Sequence, residues 1–177
     1  PAIVTIGLAI GTQRMVKRNA LIRTLPSVET LGSTTVICSD KTGTLTRNEM
    51  TVRKIYSNGK IIQVTGVGYG SKGDFLYDNK KINPKELELL LKAGSLNNNS
   101  SLADGKIIGD PTEAALIVSA EKAGYNRQLL EKKNKRIREI PFTSERKLMT
   151  TIHEVNREKQ AFVKGAPEIV LKLCNSI

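Results

Sequence analysis

The rhythm of apolar and polar positions changes three times along this chain, and each change marks a different kind of segment. Pro1 and residues 2–10 are almost wholly apolar, with Ile3, Ile6, Ala9 and Ile10 at helical spacing, and Arg14, Lys17 and Arg18 follow. A membrane helix needs about 20 apolar residues, so this run reads as half of such a helix or as an ordinary core helix; the basic flank fits the cytoplasmic end of a membrane span. The chain does not begin with Met and carries no signal-peptide pattern, so it reads as a piece of a larger protein. Further on, Val36 and Ile37 predict a short buried strand that turns polar at Asp40.

From residue 51 the period suits a separate α+β unit. Runs 51–57 and 60–65 are strand-like and meet at Asn58-Gly59, a hairpin turn signal. The glycine-rich stretch 66–73 lacks Walker spacing and has no clear helix after it, so it reads as a mobile surface loop. Residues 84–96 open on Pro84 and carry Leu87, Leu90 and Leu91 on one face, which predicts an amphipathic helix, and residues 97–101 follow as a loop. Asp110 is the N-cap expected for a helix with Pro111 at its first position, Glu113 completing a capping box, and residues 114–124 continuing it. Runs 136–140, 147–155 and 160–164 read as strands of a mostly antiparallel sheet, and 167–173 as a final helix.

Composition narrows the class without naming it. With 177 residues, 39% hydrophobic and 25% charged, the chain is an ordinary globular length, and with no Trp its core must rest on Ile, Leu and Val. Cys38 and Cys174 are too far apart in sequence, with no further Cys or nearby His, to predict a zinc site or a disulfide framework; reduced thiols are the simplest account. A net charge of +11 is the usual footprint of nucleic-acid binding, but the basic residues are spread out and the densest cluster, 132–138, holds no aromatic to stack on bases. No nucleic-acid partner is expected. The charge suits small anionic ligands and an anionic membrane leaflet instead.

The chemistry concentrates at residues 36–46, Val-Ile-Cys-Ser-Asp-Lys-Thr-Gly-Thr-Leu-Thr. A carboxylate at a strand end, followed by a cation, hydroxyls and closely approaching backbone N–H groups, is built to hold a phosphoryl group. Asp40 could attack a terminal phosphate as a nucleophile or help hold magnesium. The plainer reading is a strand running into an Asp/Thr/Gly turn. The full heptad 40–46 resembles the phosphorylation signature of the P-type ion-transporting ATPases. Residues 25–32, Leu-Pro-Ser-Val-Glu-Thr-Leu-Gly, are similar to the segment that leads into it in type II, calcium-transporting pumps. Residues 109–116, 142–147 and 164–168 are similar to three signatures of the nucleotide-binding domain, in the family's order.

That resemblance implies an organisation. Residues 1–26 would end the fourth membrane helix and enter the stalk, 27–50 would begin a Rossmann-like, haloacid-dehalogenase-like phosphorylation domain, and 51–177 would be the nucleotide-binding domain. Asp40 would be the phosphorylated nucleophile, with Lys41 and Thr42 stabilising the transferred group and Asp40 and Thr42 giving part of a magnesium site. ATP would be held by Glu113, Phe142, Lys147, Lys164 and Gly165. Domain closure would carry the nucleotide to Asp40, and the partners would be the membrane, actuator and remaining phosphorylation segments of the same polypeptide, together with a cation bound outside this segment, calcium by preference. The completing magnesium-site and hinge motifs of the phosphorylation domain do not occur after Lys164, so this chain alone is expected to be catalytically incompetent.

Several positions carry two readings. Glu113 is a capping residue or an acceptor for the adenine amino group; Phe142 is a core ring or a stacking surface; Lys147 and Lys164 are exposed lysines or ammonium groups near the nucleotide. Ser144 stands where many calcium-type pumps have an Arg, with Arg146 offset from that position, and His153 is read as a strand residue without chemistry. The other classes considered are a soluble phosphatase sharing the Asp loop, which Thr42 argues against because an Asp there would serve as general acid, and a basic nucleic-acid module.

Overall fold

The structure, a computed structural model, describes residues 2–103 and 106–175. Pro1, at the head of the apolar run, and residues 176–177, at the end of the expected nucleotide-binding segment, lie outside them. The chain divides into two compact units, Pro1–Arg47 and Asn48–Ile177.

In the first unit, helix α1 (Ala2–Lys17) ends on Arg14 and Lys17, and α2 (Pro26–Gly32) opens on its proline. The apolar run is helical, as its spacing predicts, but α1 buries none of its residues, so it is not a core helix here. No helix among the described residues is long and apolar enough to cross a membrane. The strand expected at Val36 and Ile37 does not form: both side chains are exposed and the backbone up to Asp40 is irregular. A strand is held by a ladder to a neighbour, and among the described residues no strand pairs with this stretch. Among the described residues Asp40 therefore does not stand at a sheet edge.

The second unit is α+β, with three antiparallel sheets flanked by helices. Strands β1 (Lys54–Ser57) and β2 (Lys60–Val64) pair as expected, with Asn58 at φ 49° and Gly59 at φ 73°. Two positive φ values in a two-residue turn match the twist of the flanking strands. Ile55 faces Ile62 across the ladder, and both point into the core. The same sheet continues through β3 (Phe75–Tyr77) and β4 (Lys80–Lys81), joined by Asp78 and Asn79, also at positive φ. Residues 66–73 form a loop whose base is fixed by the Thr65 N–H donating to the Asp74 carbonyl at 2.9 Å, and by Lys122 Nζ donating to the Thr65 carbonyl at 2.8 Å.

A 3-10 turn, Pro84–Leu87, precedes α3 (Glu88–Leu96). That tighter first turn changes the phase of the apolar stripe. Leu87, Leu91 and Leu96 are buried, whereas Leu90, expected on the same face, is half exposed. The short hairpin β5 (Ser101–Ala103) and β6 (Lys106–Ile108) leads to α4 (Pro111–Lys122), which buries Ala114, Ala115, Ile117, Val118, Ser119 and Ala120. Helix α4 packs against α3, where a Cβ added at Gly94 would meet the Leu116 Cβ at an ordinary van der Waals distance of 3.5 Å. Helix α5 (Arg127–Lys133) follows, capped by Asn126. The last sheet, β7 (Lys135–Ile140), β8 (Leu148–Val155) and β9 (Glu158–Gly165), agrees with the three expected strands to within two residues, and α6 (Pro167–Val170) runs into a 3-10 turn at Leu171–Leu173.

One apolar cluster joins Ile55, Ile62, Val64, Phe75, Leu87, Leu91 and Ala120, and a second joins Leu96, Leu130 and Phe162. Both cysteines are free thiols. On β8 the alternate residues Met149, Thr151 and His153 point inward. His153 is 1% exposed; its Nδ1 lies 3.0 Å from the Asn134 carbonyl and its ring meets Phe162 edge-on. Burial pushes the imidazole below its ordinary range, against the bond to Asn134, and Arg136 acts in the same direction as burial.

The pH dependence follows from that direction. A folded state that keeps the imidazole neutral binds fewer protons than the unfolded chain just below pH 6.5, so stability is full above the unfolded value and is lost as pH falls toward the folded one. The chain has a single histidine, and Glu121, raised by burial, acts with the opposite sign. Thermal melts from pH 7.5 down to about 5.5 should therefore show a falling midpoint in the native chain and a flatter profile in His153→Gln. Parallel profiles would contradict this.

Candidate nucleotide site

The signature loop of the first unit has a local geometry of its own. Asp40 is extended at φ −72° and ψ 146°, and its Oδ1 accepts the Thr42 N–H at 3.5 Å. The following turn, Lys41–Leu45, closes by the Thr46 N–H donating to the Lys41 carbonyl at 3.1 Å, and Gly43 at φ 75° supplies the left-handed residue it requires. Asp40, Lys41 and Thr42 are all exposed. Among the described residues no cluster of three acidic, His or Cys groups could hold a metal. The expected partial magnesium site, Asp40 and Thr42, falls short of such a cluster. A cation that keeps octahedral geometry and several waters would need nucleotide phosphates or further ligands to complete it.

In the second unit an open cleft of about 760 Å³ is lined by Glu113, Phe142, Lys164 and Gly165 of the expected site, together with Asn99, Ser100, Leu116, Glu139 and Met149. Lys147 is not among the lining residues. It sits just before β8 at φ 53°, with its N–H donating to the Thr143 carbonyl at 2.8 Å. Arg146 turns back to the Pro141 carbonyl and the Thr150 hydroxyl.

Glu113 corrects the capping-box expectation. Asp110 caps α4 as foreseen, accepting the Thr112 and Glu113 N–H groups at 2.8 and 3.2 Å. Those bonds hold its carboxyl below the usual range against the opposing effect of burial. The Glu113 carboxylate, however, turns away from the cap. Its Oε2 accepts the N–H groups of Asn99 and Ser100 at 2.8 and 3.1 Å and the Ser100 hydroxyl at 3.4 Å, while Oε1 pairs with Lys164 Nζ. Burial alone would raise this carboxyl; Lys164 and the two N–H groups outweigh it and hold it low. Glu113 therefore stays ionised at neutral pH, and the reciprocal cap gives way because donors of the 97–100 loop lie closer to hand.

Phe142, also in the lining, is 58% exposed, while Leu116 and buried Met149 supply apolar lining. Gly165 is required by its own neighbours rather than by a ligand: an added Cβ would lie 2.1 Å from the Lys147 carbonyl oxygen and 2.7 Å from Leu148 Cδ2. The lining thus combines the Phe142 ring and the apolar Leu116 and Met149 with three carboxylates, Asp110, Glu113 and Glu139, and the Lys164 ammonium. Asn99, Ser100, Glu139 and Met149 were not foreseen. The run of three Asn at 97–99 was the available signal, since a polar string between two apolar helices must find partners if it is buried.

Comparison with known proteins agrees with this anatomy. A sequence model of the family described as P-type ATPase, cytoplasmic domain N, matches residues 86–177. The calcium-transporting ATPase of Bacillus subtilis is 44% identical over 185 residues, covering 100% of this chain and 21% of that protein. The cation-transporting ATPase pma1 of Synechocystis is 47% identical over 189 residues, again covering 100% of the chain and 21% of the relative. Calcium-transporting ATPase 1 of Lactococcus lactis is 45% identical over 177 residues, covering 99% of the chain and 19% of the relative. The chain spans about a fifth of the length of these relatives. With the family model matching more than half of its residues, this chain belongs to the P-type cation-transporting ATPases and carries their cytoplasmic N domain.

Proposed function

We propose that residues 51–177 bind ATP in the cleft, with adenine stacked on Phe142 and its amino edge toward Glu113, and with Lys164 and Lys147 holding the nucleotide. The observation that carries this reading is the convergence of Glu113, Phe142, Lys164 and Gly165, drawn from three separate stretches of sequence, on one cleft. Glu113 is already fully engaged by Lys164 and the 97–100 loop. An incoming amino group must therefore share the carboxylate with Lys164 or displace it.

Residues 1–26 are then the end of a membrane helix and its stalk, and 27–50 the first segment of a phosphorylation domain completed elsewhere in the polypeptide. In the intact multi-pass membrane protein, with this part on the cytoplasmic side, Asp40 accepts the γ-phosphoryl group. A carboxylate oxygen forms the new P–O bond, the bond to the bridging oxygen breaks, and ADP leaves with its electron pair; water later hydrolyses the aspartyl phosphate. Lys41 and Thr42 steady the transferred group. ATP supplies that phosphoryl group; Asp40 and Thr42 would help hold magnesium, which would offset the phosphate charge, and the cycle drives transport of a cation, calcium by the likeness of residues 25–32.

Two experiments test this. Titrating ATP into the chain should move the amide signals of Glu113, Phe142, Lys164 and Gly165 together. Phe142→Ala should weaken binding by roughly 5- to 100-fold, the loss expected when base stacking is removed. Shifts confined to residues 66–73 would defeat the site assignment. In the intact protein Asp40→Asn should abolish acid-stable phosphoenzyme while leaving nucleotide binding nearly unchanged, and the isolated chain should show negligible turnover. A hydroxylamine-labile phosphate surviving in that variant would refute the role of Asp40.

A further inference from the structure

Strand β7 contains an irregularity with a consequence for the cleft. Arg136 pairs with His153 and Arg138 with Ile152, so Ile137 is an extra residue with no partner across the ladder. Residues three apart on a regular strand point to opposite faces. The inserted residue restores the parity: Arg136 opposite His153 and Glu139 opposite Thr151 come to lie on the same face. Their side chains meet there, Arg136 Nη1 donating to Glu139 Oε2 at 3.1 Å.

Arg136 reaches further. Nη1 also donates to Asn99 Oδ1 at 2.7 Å, and Nη2 donates to the carbonyls of Leu96, at 2.9 Å, and Asn98. Asn99 closes the ring by donating Nδ2 to Glu139 Oε1 at 2.7 Å. The Asn99 backbone N–H is one of the bonds that hold Glu113. A continuous hydrogen-bonded path therefore runs from β7, whose end leads directly into Pro141 and Phe142, through Arg136 and Asn99 to Glu113 and on to Lys164 of β9. It ties the stacking wall of the cleft to its polar end.

We infer that Arg136, aimed by the one-residue bulge at Ile137, is a positioning residue for the nucleotide: it fixes the separation of Phe142 from Glu113 without touching the ligand. This rests on the nucleotide-binding reading above. Guanidinium suits the task because its planar fork serves several acceptors at fixed angles, which a lysine ammonium on a flexible stem does not reproduce.

The test is a double-mutant cycle on the 177-residue chain, read as ATP affinity by calorimetry with thermal midpoints measured alongside. Arg136→Gln should weaken ATP binding by roughly three- to tenfold when Phe142 is present, and by less than about twofold in the Phe142→Ala background, because a correctly held wall matters only if the ring is there. Its effect on the thermal midpoint should be the same in both backgrounds, which a merely structural role would also produce; the vanishing affinity effect is what such a role would not. Arg136→Lys should not restore affinity. Should Arg136→Gln fail to fold, Asn99→Ala at an exposed residue carries the same cycle while sparing the backbone N–H that holds Glu113. Equal losses in both backgrounds, or no loss from either substitution, would overturn the inference while the nucleotide site stands. Absence of ATP binding by the native chain would overturn the nucleotide reading itself, and this inference with it.

Discussion

Burial of a polar loop is the constraint on which the second unit depends. Asn97, Asn98 and Ser100 are almost wholly shielded from water although they lie in a connection with no regular backbone pairing of its own. Every polar group placed there must find a partner or cost free energy. Asn97 Oδ1 has none; for the other groups the partners come from all sides. Asn97 Nδ2 donates to the Met149 and Phe162 carbonyls of β8 and β9, and Asn98 Nδ2 to the Gly94 and Glu113 carbonyls of α3 and α4. Arg127 of α5 and Arg136 of β7 donate to loop carbonyls. Two helix ends, a strand pair and two arginines are thus registered to a single short connection, and the cleft is the space left beside it.

The ionic state of the cleft follows. Glu113 is held by loop N–H groups and an ammonium at once, so its charge is neutralised locally rather than offered to solvent. The cleft is also lined by Asp110 and Glu139, so the overall positive charge of the chain is not a property of its lining. It belongs to the outer surface, where it acts at long range on anions and is screened by salt.

Much of this was readable from residues whose local chemistry admits one solution. Asn58-Gly59 defined a hairpin, Asp110-Pro111 a helix start, and the alternation from residue 147 a strand, because turn, cap and period are each decided within a few residues. Glu113, Phe142, Lys164 and Gly165 were readable through the family likeness of their stretches. What escaped depended on distant partners. Val36 and Ile37 have strand propensity but no neighbour to pair with, so propensity was overridden. Leu90 left the core because a 3-10 turn shifted the phase of the helix behind it. The turn at Asn156-Arg157, both at positive φ, joins β8 to β9 without the glycine that marks such hairpins. Asn99 and Glu139 meet only because a bulge turns one strand, and no window of sequence displays that.

Three of the strand connections close through two residues, while the bonds of Asn97 to Met149 and Phe162 span 52 and 65 residues. Closing a short turn costs little chain entropy, and closing loops of that length costs more before any contact is made. The hairpins are therefore the early, locally encoded part of the unit, whereas the cleft is assembled by its most non-local bonds. A site built in that order inherits the cooperativity of the whole unit: it exists only when the two distant stretches of chain have already found each other.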